Sequence, residues 1–265
     1  MKNILVPVGS SKNAVSHLQY AVDFAKAFNA KLFIVQVYNV YTKAGTMIKI
    51  DHIIERESQE FLNNLMTQVD TKGVDVTTRT LKGKLIDTLE LASKSAKIDL
   101  ILVEPRTNSI KDEVFLGKTS GKIIKQMDVP AALIVPEGYV FKPVKHILMA
   151  VKSAIIRRDN VLVALNALKN NFNTIVDLLL VKTPHHNDGD FEVNEELSTL
   201  VSSTTETENA TTFQGVLQHF ESHKPDMLCV VRRKRGFFTR KWEKNVILKK
   251  DFHSSIPVLV LSGLK

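Results

Sequence analysis

The chain has 265 residues, of which 44% are hydrophobic and 24% charged, and its formal net charge is +8. These proportions are ordinary for a globular protein, and no apolar run approaches the ~20 residues of a membrane-spanning helix. The single cysteine, Cys229, excludes an intrachain disulfide, and its apolar neighbours predict a buried position in a strand. No segment is typical of a signal peptide, so we expect a cytoplasmic protein without a membrane span.

An internal repeat of whole-domain size organises the sequence. Asp99 is followed 31 residues later by Pro130, and Asp226 is followed 31 residues later by Pro257 (130 − 99 and 257 − 226). An apolar run follows each of these four residues. The openings of the two copies also correspond, residues 4–8 with 147–151 and residues 31–37 with 175–181. The repeat predicts two domains, 1–138 and 144–265, with the linker at residues 136–145, which contain Gly138 and Pro143.

The first repeat alternates predicted strands and helices in chain order. Short apolar or β-branched runs predict strands at residues 4–8, 32–37, 74–81, 100–103 and 131–135. Apolar residues at helical spacing predict three helices, with inward positions at Ala14, Leu18, Ala21, Val22, Ala25 and Phe28, at Ile50, Ile54, Phe61 and Leu65, and at Ile86, Leu89 and Ala92. A fourth helix is predicted near residues 119–127. We expect Ser10 or Ser11 to cap the first helix and Gly83 to turn the chain into the third.

This alternation predicts an α/β fold with two doubly wound domains. Each domain is expected to hold a five-stranded parallel sheet with helices on both faces. Sheets of this kind bind ligands beyond the carboxyl ends of their strands, at the point where the strand order reverses.

Several segments of the first repeat together carry a family resemblance. They are residues 4–11, the alanine-rich first helix, residues 31–37, the strand 99–103 with its long loop to Leu116 and Gly117, and the pair Val129-Pro130. This pattern resembles the universal stress protein family, and the second repeat resembles the divergent second domain of tandem members. The resemblance implies a Rossmann-like fold of the adenine nucleotide alpha hydrolase type and a role in stress survival. It also implies pairing of the two domains through their last strands, as an intrachain pseudo-dimer, and a homodimer is a further expectation.

The resemblance also implies where a nucleotide would bind. ATP-binding members carry Gly, two residues, Gly, nine residues, Gly and then Ser or Thr after the fourth strand, because glycine lets backbone N–H groups approach phosphates. Here these glycine positions hold Glu104, Thr107 and Gly117, and a carboxylate at position 104 would repel phosphate. The acidic residue that the family places after the first strand is Gly9 here and Lys152 in the second repeat. The second repeat has Val231, Lys234 and Lys244 at its three glycine positions.

We therefore predict a non-catalytic stress-response binding protein, not an enzyme, with no required cofactor and no tight binding of ATP. The alternative is nucleotide binding, or weak ATP hydrolysis with Mg²⁺, through the first domain. Its candidate nucleotide-binding residues are Pro7, Val8, Gly9, Val37, Thr107, Gly117, Lys118, Thr119 and Ser120. A Walker loop ending at Gly117-Lys118 is rejected, because the glycine it needs five residues earlier is Asp112.

A basic segment in the second repeat supports a further alternative. Residues 232–250 carry nine basic residues and one acidic residue, a balance equal to the net charge of the whole chain. The candidate anion-binding residues are Arg232, Arg233, Lys234, Arg235, Arg240 and Lys241, with Phe237, Phe238 and Trp242 among them. Polyphosphate, nucleic acid, acidic lipid or an acidic partner would be attracted to such a segment. A solvated loop is the favoured interpretation, and nucleic acid is not favoured as a partner.

One cluster has the residue types of a metal site. Residues 185–190 contain two adjacent histidines and two aspartates. Adjacent histidines point apart and no second pair of ligands is visible, so a surface loop without metal is predicted. No Ser/His/Asp or Cys/His arrangement suggests a catalytic site.

Overall fold

The computed structural model describes residues 1–39, 49–105, 117–156, 158–232 and 255–263. Strands and helices alternate along them, which confirms the α/β fold class predicted from the sequence. In the first repeat the elements are β1 (Asn3–Val8), α1 (Ala14–Ala27), β2 (Lys31–Tyr38), α2 (Lys49–Met66), β3 (Val76–Lys82), α3 (Leu85–Ser95), β4 (Leu100–Val103), α4 (Gly117–Gln126) and β5 (Ala131–Ile134). In the second they are β6 (His146–Val151), α5 (Val163–Phe172), β7 (Ile175–Lys182), α6 (Glu195–Leu200), β8 (Ser203–Glu208), α7 (Thr212–His223), β9 (Met227–Arg232) and β10 (Val258–Ser262).

The described residues group into two compact units. The first contains those up to residue 105 together with 117–129 and 135–141, and the second contains 130–134 and those from residue 142 onward. Strand β5 is therefore grouped with the second unit. The sequence-based boundaries, 1–138 and 144–265, stay a prediction.

The first unit is built on four parallel strands in the order β3-β2-β1-β4. Ile4 of β1 lies opposite Leu32 on one side and Leu100 on the other, so the chain reverses its direction of winding at β1. Every residue of β4 is buried, as expected for a strand covered on both faces. The point of reversal places a crevice at the carboxyl ends of β1, β2 and β4.

The second unit repeats this strand order. Its strands run β10-β9-β6-β7-β8, all parallel, and β5 pairs antiparallel with β10, where Val258 lies opposite Ile134. Cys229 lies in β9 and is fully buried, as predicted, and burial raises the pKa of its thiol.

The repeated aspartate has the same structural role in both units. A carboxylate oxygen of Asp99 accepts hydrogen bonds from the backbone N–H groups of Lys2 and Asn3, at 2.6 and 3.1 Å. Asp226 accepts from the corresponding N–H groups at positions 145 and 146, at 3.0 and 3.1 Å. Partial burial alone would raise the pKa of Asp226, but the hydrogen bond from Lys142 and those from the backbone hold it below its ordinary value. Each aspartate thus fixes the start of the first strand of its repeat.

The predicted cap of the first helix is wrong. Helix α1 begins at Ala14, and its N-cap residue is Asn13, whose side chain makes no capping hydrogen bond. Ser11 lies two positions before the N-cap residue, and its hydroxyl instead accepts from the N–H of Asn13 at 3.2 Å. Gly83 turns the chain toward α3 as predicted, with a φ of +146° that side chains rarely adopt.

Candidate functional site

A cavity of about 430 Å³ lies in the first unit at the carboxyl ends of β1, β2 and β4. Its volume is in the range that holds a small molecule. The strand ends contribute residues 7–10, 36–37 and 103–104, and helices α1 to α4 supply the remaining wall. The lining residues are Pro7, Val8, Gly9, Ser10, Ala14, His17, Gln36, Val37, Phe61, Leu85, Val103, Glu104, Thr119, Ser120 and Ile123.

His17 is the most deeply buried titratable residue of this wall, with 6% of its surface exposed. Burial lowers the pKa of its imidazole to about 4, although a hydrogen bond to the backbone carbonyl of Leu102 acts in the opposite direction. The ring is therefore neutral at pH 7, and the nitrogen bonded to Leu102 carries the proton. The other nitrogen, Nε2, is an acceptor, and it is buried without a hydrogen-bond partner among the described residues.

Two further buried acceptors line the same cavity. They are Oε1 of Gln36, near the end of β2, and Oε1 of Glu104, directly after β4, and neither has a partner in the described part of the chain. The main-chain carbonyl of Glu104 is already bonded, because it accepts from the hydroxyl of Ser120. Buried acceptors without hydrogen-bond partners are rare in folded proteins. A bound molecule that donates hydrogen bonds to these atoms would explain them.

The wall therefore leaves three buried acceptors unsatisfied among the described residues. It presents a neutral imidazole nitrogen, an amide oxygen and a carboxylate oxygen, and no Lys or Arg is among the described residues that line it. These three acceptors match N–H and O–H donors, whereas the oxygens of a triphosphate are acceptors themselves. The described lining residues thus supply no cationic side chain for the phosphates of ATP.

The cavity brings together six of the nine residues predicted to contact a nucleotide. These are Pro7, Val8, Gly9, Val37, Thr119 and Ser120. Thr107 lies outside the described residues. Gly117 and Lys118 form the first two positions of α4, and their side chains are outside the description. Whether any of them contacts a nucleotide stays a prediction.

Of the predicted anion-binding residues, the structure describes Arg232 alone. Its Nη2 donates to the hydroxyl of Ser262 at 3.0 Å, which ties the end of β9 to the end of β10. Arg233, Lys234, Arg235, Arg240 and Lys241 lie outside the described residues.

In the second unit, the loop that follows β7 is hydrogen-bonded to the segment that follows β6. The N–H of Ala154 donates to the backbone carbonyl of Asp190 at 2.6 Å. Partial burial alone would raise the pKa of Asp190, but hydrogen bonds from Asn187 and Ser153 lower it. Residues 185–190 form an exposed to half-buried loop, and within the described ranges no cluster of three or more His, Cys, Asp or Glu could hold a metal.

The sequence analysis missed His17 and Gln36 as site residues. His17 falls among the apolar positions of α1, three residues after Ala14, and Gln36 is a polar residue in the otherwise apolar β2. In each case, a polar residue within an apolar pattern was the feature of the sequence that could have indicated a site residue. Only the tertiary structure shows that each side chain has an atom without a partner.

Comparisons with known proteins relate the chain to one family. A family model described as the universal stress protein family matches residues 1–135. A universal stress protein of Methanocaldococcus jannaschii is 22% identical over 138 residues, which are 50% of this chain and 81% of that protein. No helix within the described ranges has the length and apolar character needed to cross a bilayer.

Solved structures of full length share the fold. A universal stress protein from Archaeoglobus fulgidus matches 98% of this chain and 96% of its own, with a TM-score of 0.70 and 18% identity. A protein of unknown function from Pseudomonas aeruginosa matches 99% of this chain and 92% of its own, with a TM-score of 0.58 and 12% identity. At such identities these likenesses bear on the fold alone.

Proposed function

The chain belongs to the universal stress protein family, and from that premise we propose that it is a non-catalytic binding protein whose first unit takes a small ligand into the cavity beside β1. The observation that carries the proposal is the set of three unpartnered acceptors around that cavity, on His17, Gln36 and Glu104. A bound molecule with hydrogen-bond donors would remove the free-energy cost of burying them.

We also propose that this unit does not bind ATP tightly. Glu104 occupies the first glycine position of the family's phosphate loop, and its carboxylate lines the cavity where phosphates would approach. Like charges close together in a partly buried site repel strongly. The hydroxyl of Ser120, which could have donated to a phosphate, already donates to the carbonyl of Glu104.

The absence of turnover is part of the same proposal. Hydrolysis of ATP would need groups that hold Mg²⁺ and orient water, and among the described lining residues Glu104 offers the single carboxylate. His17 has one ring nitrogen engaged with Leu102 and a pKa of about 4, which makes it a weak base.

We further propose that residues 144–265 are a divergent second copy of the same domain. The same strand order in the second unit supports this, as does the shared role of Asp99 and Asp226 at the start of each first strand. In this copy the loop around Asp190 is bonded to the segment after β6. We therefore assign the ligand to the first unit.

Calorimetry with Mg²⁺ and ATP tests the proposal. We expect no saturable binding by the wild-type protein at millimolar ATP and no phosphate release. The Glu104→Gly variant, which removes the charge and restores the first glycine, is expected to gain several-fold in ATP affinity. Glu57→Gly, an exposed position on α2, is the matched control and should gain nothing. Micromolar binding of ATP by the wild-type protein, or phosphate release above background, would overturn the proposal.

Binding of polyanions is a second candidate function, because residues 232–250 carry a balance of charge equal to that of the whole chain. Polyphosphate is the simplest partner for such a segment, and nucleic acid is not favoured.

A further inference from the structure

The acceptors of the cavity differ in charge, and the charged one lies at the end of β4. Gln36 offers the oxygen of a neutral amide. His17 also offers a neutral acceptor, because its imidazole is deprotonated at pH 7. Glu104 offers a carboxylate oxygen that is buried and without a partner in the described structure. A carboxylate in this situation is more costly than a neutral acceptor, and a cation that donates a hydrogen bond compensates it best.

We infer that the cavity takes a small organic cation with several N–H donors, and that its ammonium or guanidinium group lies against Glu104. This inference rests on the proposed function, namely that the cavity holds a small ligand. The remaining N–H groups of the cation donate to Nε2 of His17 and to Oε1 of Gln36. Apolar walls from Val37, Phe61 and Ile123 are suited to the methylene groups between the polar ends.

Selectivity follows from the same arrangement. A phosphate or carboxylate on the ligand would place its acceptors against the acceptors of the protein, and its negative charge would face Glu104. A cation gains a charge-assisted hydrogen bond at that point. Glu104 therefore determines the sign of the charge that the cavity accepts.

The experiment measures binding of probes that differ in charge. Agmatine and spermidine are the cationic probes, adenosine is the neutral probe, and adenosine monophosphate is the anionic probe. Each is titrated by calorimetry, and the thermal midpoint is followed in parallel. Four proteins are compared: the wild type, Glu104→Gln, the matched control Glu57→Gln on the exposed face of α2, and Val37→Trp, which fills the cavity. Circular dichroism verifies that each variant is folded.

We expect at least one cationic probe to bind the wild type and to lose about tenfold or more in affinity in Glu104→Gln, since a charged hydrogen bond is replaced by a neutral one. Glu57→Gln should bind like the wild type, and Val37→Trp should not bind.

Two other outcomes overturn the inference, and they can be told apart. If adenosine or its monophosphate binds in a manner that Val37→Trp abolishes, while Glu104→Gln leaves every affinity unchanged, the charge assignment is wrong and the proposed binding function stands. If no probe of any charge binds the wild type in a manner sensitive to Val37→Trp, both the inference and the proposed function fail.

Discussion

His17 is deeply buried in the wall of the cavity. Because burial changes the pKa of its imidazole, the stability of the first unit depends on pH. Its folded-state pKa of about 4 lies below the ordinary value of 6.5. Between pH 6.5 and pH 4, His17 is mostly protonated in the unfolded chain and mostly neutral in the folded chain. The stabilisation that the neutral ring provides is therefore complete above pH 6.5 and is lost toward pH 4.

We predict that replacing His17 with Gln flattens this dependence. Glutamine does not titrate and retains an N–H donor for the carbonyl of Leu102. Between pH 7 and pH 4 the free energy of unfolding of the wild type should fall by about 3 kcal/mol more than that of the variant. Urea unfolding at four pH values in this range measures the difference.

The control for this prediction is His52→Gln, because His52 lies exposed on α2. Its pH dependence should match that of the wild type. Parallel curves for the wild type and His17→Gln would show that the imidazole is protonated in the folded protein as readily as in water.

At the scale of the elements, α7 packs close against the sheet of the second unit at Gly215. A methyl group added there would lie 2.8 Å from Cγ2 of Val181 and 3.3 Å from Cγ2 of Thr207. Contacts under 3.0 Å require a neighbour to move, and Val181 is fully buried in β7. The glycine is thus explained by packing rather than by its backbone conformation.

This contact reverses the usual effect of exchanging glycine for alanine in a helix. Helix propensity alone would make Gly215→Ala raise the free energy of unfolding by about 1 kcal/mol. Because of the contact with Val181, we predict instead that Gly215→Ala lowers the free energy of unfolding by about 1–3 kcal/mol. Chemical denaturation of Gly215→Ala, Val181→Ala and the double variant gives the coupling energy. The double variant should lose less than the sum of the single losses, and a gain in stability by Gly215→Ala alone would contradict the prediction.

At the scale of the whole molecule, the sequence was sufficient to predict the α/β fold class, because buried parallel strands are continuous apolar runs. The spacing from Asp99 to Pro130 and from Asp226 to Pro257 marked equivalent positions, and the structure gives both aspartates one role. The candidate site was predicted in part, because strand ends such as Pro7–Gly9 follow from the fold. The unpartnered atoms of His17 and Gln36 could not be predicted, since hydrogen-bond satisfaction depends on contacts between residues far apart in sequence.

The net charge of the whole molecule has one concentrated source, the segment 232–250. If this segment binds polyanions, affinity for polyphosphate should fall steeply as salt is raised. We predict that replacing Arg233, Lys234 and Arg235 together with Glu weakens binding at least about tenfold at low salt, because attraction becomes repulsion. Arg232 is left intact, because its hydrogen bond to Ser262 joins β9 to β10. Replacing it could weaken polyphosphate binding by disturbing the fold as well as by removing a charge.

The control for this experiment carries the same change in net charge at a different place. Replacing Lys94, Lys122 and Lys125 with Glu removes three exposed cations from α3 and α4, and like the first variant it lowers the net charge from +8 by six. Titration of both variants with polyphosphate at several salt concentrations then separates a local effect from a global one. If binding depends on the segment, the control retains most of its affinity and its salt dependence. Equal losses in the two variants would mean that polyphosphate responds to the net charge of the molecule, and unchanged binding in the first variant would remove the segment from consideration.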